Sequence, residues 1–318
     1  MPVYRTILTV LLLIITSRAY SQSLNKEEAE TAIKQISKLI NENYVFPAKG
    51  QKIATYILDQ YRKGTFNGLK SWKEFDSVVT KSLRDFSGDG HLYAGNNPLI
   101  VKELLNPPKE IPADNTEGLR KAMQNNFGFK EVKILEENIG YIKVDKIDIS
   151  EHSLPVLFAA MQFIFNTRAL IIDLRNNGGG GGEIGPVFES FFLPKNTPLL
   201  DFKTRNGNNT VEKTIGWLPQ KRYNNPLYIL VNKKTASAAE AFTYALQYHK
   251  RAKVVGEGSA GAANMNSWYP VNDQIYFSVS TASPTIPGTE KSWEGKGIEP
   301  DIVTKQGEEI ATILKLLK

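Results

Sequence analysis

The hydrophobic pattern of this chain changes period near residue 130, and that change restricts it to a two-part architecture. From Asn25 to about Leu83, apolar residues recur at helical spacing: Ile33, Ile36 and Ile40 on one face, Ile53, Tyr56 and Ile57 on a second, Phe75, Val78 and Val79 on a third. Start signals agree with three helices, since Asn25 precedes Glu28 and Ser71 precedes Glu74 at capping-box spacing and Pro47 suits a first helical turn. Beyond residue 130, strand-like runs at 139–144, 169–174, 227–231 and 254–255 alternate with helical runs at 154–165, 187–192 and 238–248. That alternation predicts an α/β core with a substantially parallel sheet. Ile275, Phe277 and Val279 predict one more strand and residues 308–317 a terminal helix, whereas the Gly-, Asn- and Pro-rich stretch from Ser87 to Pro108 reads as loops. The expected division is a helical module with a His-bearing loop at 22–130 and an α/β core at 131–318.

Residues 1–21 read as an export signal: Arg5 near the start, an apolar stretch from Thr6 to Thr16, then Ala19-Tyr20-Ser21 with small residues where a signal peptidase cuts, before Gln22. The apolar run falls short of the ~20 residues a membrane span needs. With no cysteine in the chain there is no lipid attachment point either, so the expected product is an exported protein, periplasmic or extracellular, without a stable membrane anchor. The absence of cysteine also excludes disulfides, thiolate nucleophiles and Cys-ligated zinc. The formal charge of +6 is spread over scattered Lys and Arg without a basic run, which argues against nucleic acid as a partner. The three histidines, His91, His152 and His249, lack metal-ligand spacing, and no metal or organic cofactor is indicated.

Three segments carry chemistry. The first, Asp173-Leu174-Arg175-Asn176-Asn177 followed by Gly178, Gly179, Gly180, Gly181 and Gly182, follows an apolar strand and frees backbone N–H groups to face a ligand or a developing negative charge. Gly180, Gly182 and Gly185 match a dinucleotide fingerprint, but so do Gly256, Gly258 and Gly261, and the first match lies several residues past the strand where the fingerprint requires a tight turn. The second, Thr235-Ala236-Ser237-Ala238-Ala239-Glu240, sits between a strand and a helix. Ser237 there reads either as an N-cap with Glu240 completing a capping box or as a nucleophile whose neighbour Ala238 offers its amide to an oxyanion, and caps far outnumber nucleophiles. The third, Trp293-Glu294-Gly295-Lys296-Gly297-Ile298-Glu299-Pro300-Asp301, contains acids that alone would be surface charge.

Taken in order, Asp173 to Gly180, Thr235 to Glu240, Gly256-Glu257, and Glu294-Gly295 with Gly297 and Pro300-Asp301 resemble the tail-specific or C-terminal processing serine peptidases. Asn43-Tyr44-Val45-Phe46-Pro47 and Asp89-Gly90-His91 resemble the branch containing the tricorn protease core and the interphotoreceptor retinoid-binding protein modules. The resemblance implies a crotonase/Clp-protease-like spiral core behind an N-terminal helical module, with too little chain between them for the PDZ domain that many processing peptidases carry. It also implies a polypeptide substrate lying in the cleft between module and core as an added strand. In the branch that uses a Ser–Lys dyad the lysine lies 25 positions after the serine, where this chain has Ala262. The tricorn-like branch implies instead Ser237 as nucleophile, His91 as base and Glu294 as its support, with Ala238 and a glycine among Gly178, Gly179 and Gly180 at the oxyanion. The serine that directly precedes the histidine in that pattern is Gly90 here.

Spacing bears separately on the choice of base. His249 lies twelve residues along the helix from Ser237, ~18 Å away at 1.5 Å per residue, and His152 reads as a solvated residue at a helix start. A base from Lys233 or Lys234, or an acid from Glu299 or Asp301, is not removed by spacing. Two other functions fit the same resemblance: a catalytically silent module that binds apolar ligands, and an esterase.

Overall fold

The computed structural model describes residues 24–107, 117–182 and 184–318, and the signal segment read at 1–21 lies outside them. Three helices come first: α1 (Lys26–Asn43), α2 (Pro47–Arg62) and α3 (Trp72–Ser87). Their starts follow the capping chemistry of the sequence. The Asn25 side chain accepts the Glu28 N–H at 2.9 Å while the Glu28 carboxylate takes the Asn25 N–H, Pro47 opens α2, and Ser71 Oγ accepts the Glu74 N–H at 3.2 Å.

The stretch read as loops holds two further elements, β1 (Tyr93–Asn96) and α4 (Pro98–Leu105). Asn97 caps α4 and Pro98 is its first residue, so the polar and proline signals mark a helix start rather than irregular chain. The strand partner of β1 lies some 180 residues later, where no local pattern could reveal it. After α5 (Glu117–Gln124) the core begins: β2 (Phe129–Leu135), β3 (Ile139–Val144), β4 (Ile147–Ile149), α6 (Leu154–Phe163), β5 (Ala169–Asp173) and β6 (Gly180–Gly182). It continues with α7 (Val187–Ser190), β7 (Pro198–Thr204), β8 (Thr210–Lys213), β9 (Leu227–Val231), α8 (Ala238–Tyr248), β10 (Ala252–Gly256), β11 (Met265–Pro270), β12 (Ile275–Thr285), β13 (Ile302–Val303) and α9 (Glu309–Leu316). Between α3 and β2 the described residues hold β1, α4 and α5 and nothing of PDZ size.

The central sheet has the order β13-β10-β9-β5-β3-β2, parallel throughout except for the β2–β3 pair. Strands β5 and β9 are buried along their whole length, which is why they read as unbroken apolar runs. Their residues alternate between faces: Leu170, Ile172 and Ile229 join the large core with α6 and α8, while Ala169, Ile171 and Leu230 pack with Ile313 of α9. A second, antiparallel sheet runs β1-β12-β7-β8, with β11 also on β12. Ile275, Phe277 and Val279 of β12 pack in one cluster with Ile33, Ile40 and Phe75, so the three-helix module buries its apolar faces on a strand from the far end of the chain.

Candidate active site

The nucleophile candidate is placed by a strand, a turn and a helix. β9 ends at Val231, Thr235 Oγ1 bonds back to Leu174 O at 2.8 Å, and α8 starts at Ala238 with Ser237 as its N-cap. Ser237 takes φ 54° and ψ −122°, a conformation side-chain-bearing residues avoid at a cost of about 1–3 kcal/mol. The Ser237 N–H donates to Glu240 Oε2 at 2.9 Å. Ala238, the first helical residue, has no acceptor within its helix for its own N–H. Cap and nucleophile are therefore compatible roles here: the cap is made by the backbone of Ser237 onto Glu240.

The strain is held by buried hydrogen bonds. Glu240 is fully buried, and its carboxylate accepts from four donors: Ser237 N, Ser259 Oγ at 2.5 Å, Gly261 N at 2.7 Å and Ala262 N at 2.9 Å. Four charge-assisted bonds to one carboxylate lock the serine turn to the 259–262 loop. On the other side Asn177, also fully buried, does similar work: its Nδ2 donates to Val144 O, its Oδ1 accepts from Gly179 N at 2.9 Å, and its backbone O accepts from Ala236 N. The glycine loop is thereby pressed against the serine turn. Gly179 has φ +101°, and a Cβ there would stand 2.7 Å from Ser237 Cβ, so only glycine fits. At the base of the loop Arg175 donates to both oxygens of Asp173 and to Glu309 of α9, fixing where the glycines begin.

Of the three glycines proposed for the oxyanion, Gly179 already gives its N–H to Asn177, so Gly178 and Gly180 are the ones left to act with Ala238. Ser237, Ala238 and Gly180 line a cavity of about 180 Å³. Lys233 and Lys234 are exposed near the strand end.

The histidine side is built differently. Asp89 is fully buried and accepts from His91 N at 2.8 Å, Tyr44 OH at 2.9 Å and Asn264 Nδ2 at 2.9 Å. Ser278 Oγ donates to His91 O at 2.6 Å, so the His91 backbone is held on both sides. Its ring Nδ1 is buried without a hydrogen-bond partner, and burial holds its pKa below the ordinary imidazole value. Glu294 Oε2 accepts from Ala263 N at 2.7 Å and Asn264 N at 2.9 Å, while Oε1 is buried and unpartnered. Burial, reinforced by the charge of Asp89, raises its carboxyl to about 7.

The structure thus ties Ser237 to the glycine loop directly and ties His91 to Glu294 through Asp89 and Asn264. Among the described residues no hydrogen bond joins His91 to Ser237 or to Glu294. His249 Nε2 contacts Pro198 O at the far end of α8, His152 is exposed, and no group of described acids and histidines is placed to hold a metal ion. Asp89, Asn177, Glu240 and Asn264 organise the site, and the sequence reading gave none of them that role. The available signal was position: Asp89 two residues before His91, Asn177 heading the glycine run, Glu240 three after Ser237.

The profile of peptidase family S41 matches residues 138–304, which carry Ser237, Glu294 and the glycine loop. This chain belongs to peptidase family S41. The N-terminal domain of S41 peptidases described for eukaryotic interphotoreceptor retinoid-binding protein matches residues 22–132 of the S41 chain. The carboxyl-terminal-processing protease of Synechocystis sp. is 30% identical over 233 residues, covering 73% of this chain and 53% of that protein. The carboxy-terminal-processing protease of Bartonella bacilliformis is 30% identical over 196 residues, covering 58% and 43%. The S41 chain spans about half the length of these curated relatives. Among solved structures, a lipoprotein from Streptococcus agalactiae superposes with a TM-score of 0.58 at 21% identity, covering 91% of this chain and 96% of that one. The tricorn protease superposes with a TM-score of 0.58 at 13% identity, covering 92% of this chain and 36% of that one. These two share the S41 fold.

Proposed function

We propose that this chain is an exported serine peptidase that cleaves peptide bonds through an acyl-enzyme, with Ser237 as nucleophile, His91 as general base and Glu294 as the acid that orients it. The observation that carries this reading is Ser237 itself, held in a strained turn at a helix start, against the glycine loop, on the wall of a cavity. Strain of this kind persists only where surrounding contacts over-determine it.

His91 removes the Ser237 hydroxyl proton as Oγ attacks the substrate carbonyl carbon. The negative charge moves to the carbonyl oxygen, which the N–H groups of Ala238 and of Gly178 or Gly180 receive. Collapse expels the amine, which takes the proton from His91. Water then attacks the ester by the reverse proton path. A base must be neutral to act, and burial favours neutral His91. His91 Nδ1 and Glu294 Oε1 are both buried and unpartnered, and a hydrogen bond between them would satisfy both in the working site. Substrate would lie extended along β6, which among the described residues pairs only with β4 and so keeps one edge open beside Ser237. The export-signal pattern read in the sequence at residues 1–21 supports export.

Fluorophosphonate labelling of the purified protein, with mass spectrometry to locate the adduct, tests the assignment. An adduct on Ser237 that is absent from the His91→Ala variant, together with cleavage of unstructured polypeptides, is the expected result. Labelling with cleavage of small esters alone would indicate an esterase, and no adduct on folded protein would indicate a binding module.

A further inference from the structure

The cavity beside Ser237 holds two acids that the peptide-bond chemistry does not use. Its walls are largely apolar, from Phe188, Phe202, Phe242 and Met265 among others, and Glu189 of α7 and Glu212 of β8 also line it. Among the described residues no Lys, Arg or His pairs with either acid. Burial raises both carboxyls, Glu189 to about 8 with the charge of Glu212 adding to the effect. Two neighbouring carboxyls in an apolar cavity without a cation are unfavourable for the empty protein, and an entering cation relieves both the desolvation and the mutual repulsion. The size agrees: a cavity of about 180 Å³ has room for one long side chain, and apolar walls suit the methylene stem of a basic residue whose charged tip meets the two acids.

We propose that this cavity receives the substrate side chain next to the scissile bond and selects lysine or arginine there through Glu189 and Glu212. The inference rests on the peptidase reading and names its substrate class. Gly180, Ser237 and Ala238 line the same cavity, so a side chain seated in it leaves the adjoining carbonyl beside the nucleophile.

The test is cleavage of matched peptides that differ only in the residue before the scissile bond, lysine against its uncharged isostere norleucine, and arginine against citrulline. The parent protein is compared with Glu189→Gln and Glu212→Gln, each checked for an unchanged melting temperature and for fluorophosphonate labelling of Ser237. The expected result is a preference of ~10²-fold in kcat/KM for the charged residue that falls toward unity in the variants, with norleucine peptides cleaved as well as before. Cleavage with no preference for the basic residue, or with a preference that both variants keep, overturns the inference and leaves the peptidase reading standing. No cleavage of any peptide by protein whose Ser237 still labels overturns both.

Discussion

The two sides of the candidate site are held by different means. On the core side every constraint on Ser237 is a closed hydrogen bond: four donors on Glu240, and Asn177 joining the β3 end, the glycine loop and the serine turn. On the other side the His91 backbone is fixed by Asp89 and Ser278, yet its ring Nδ1 and the Glu294 Oε1 are buried without hydrogen-bond partners. The difference teaches that the Ser237 turn and the glycine loop are organised within the core, by hydrogen bonds that are already complete. His91 and Glu294 depend on contacts across the two modules, through Asp89 and Asn264, and the hydrogen bond proposed between them would complete that side.

Removing the proposed nucleophile breaks the comparison most completely. Ser237→Ala should lower turnover by ~10⁴–10⁶, with the circular dichroism spectrum unchanged. The Glu240 hub should matter next, and for stability: Glu240→Ala leaves four buried or partly buried donors unanswered and should cost about 3–5 kcal/mol in urea unfolding. A matching loss from Asp89→Ala would mean that the histidine side is as tightly built as the core side. Gly179→Ala forces a Cβ against Ser237 at a positive φ and should cost about 1–3 kcal/mol, whereas Gly181→Ala, with nothing within 4 Å, should leave the melting temperature nearly unchanged.

The smallest effects are in pH dependence, and they belong to the His91–Glu294 side. Glu294 titrates near 7 in the fold against 4.5 in the unfolded chain, so the unfolded chain releases this proton first. Its stabilising contribution is complete below pH 4.5 and is lost as pH rises through 7. Glu294→Gln removes that loss and should raise stability at pH 8 by about 1–2 kcal/mol while lowering activity, a split seen by pairing thermal melts with rate measurements. Because burial keeps His91 neutral, the acid limb of the rate profile should fall below pH 6.5.

Much of the framework could be read from local pattern. Three helices, two with capped starts and one opened by Pro47, the parallel strands and the helix after Ser237 all follow from periodicity and end signals, because each is decided by residues within a turn or two. Strands β2, β7, β8 and β11 gave no such signal. They are largely or partly exposed, and their polar residues are ordered by partners far along the chain. The site divides the same way. Ser237 and the glycine run sit at a strand-to-helix turn and after a strand, where chemistry is expected. Glu240 looked like a capping acid because its other donors, Ser259, Gly261 and Ala262, arrive from 19 to 22 residues downstream. Asn264 and Asp89 meet across 175 residues, and no spacing rule anticipates that.

The strand that completes the helical module has a consequence for how the chain comes into being. Ile275, Phe277 and Val279 are the last part of that module's core to leave the ribosome, so the first helices to be synthesised wait for more than half the chain before their apolar faces are covered. Closure over so long a separation is slow. A chain whose opening segment stays unsealed until late is still threadable, which is the state that the proposed export would require of it.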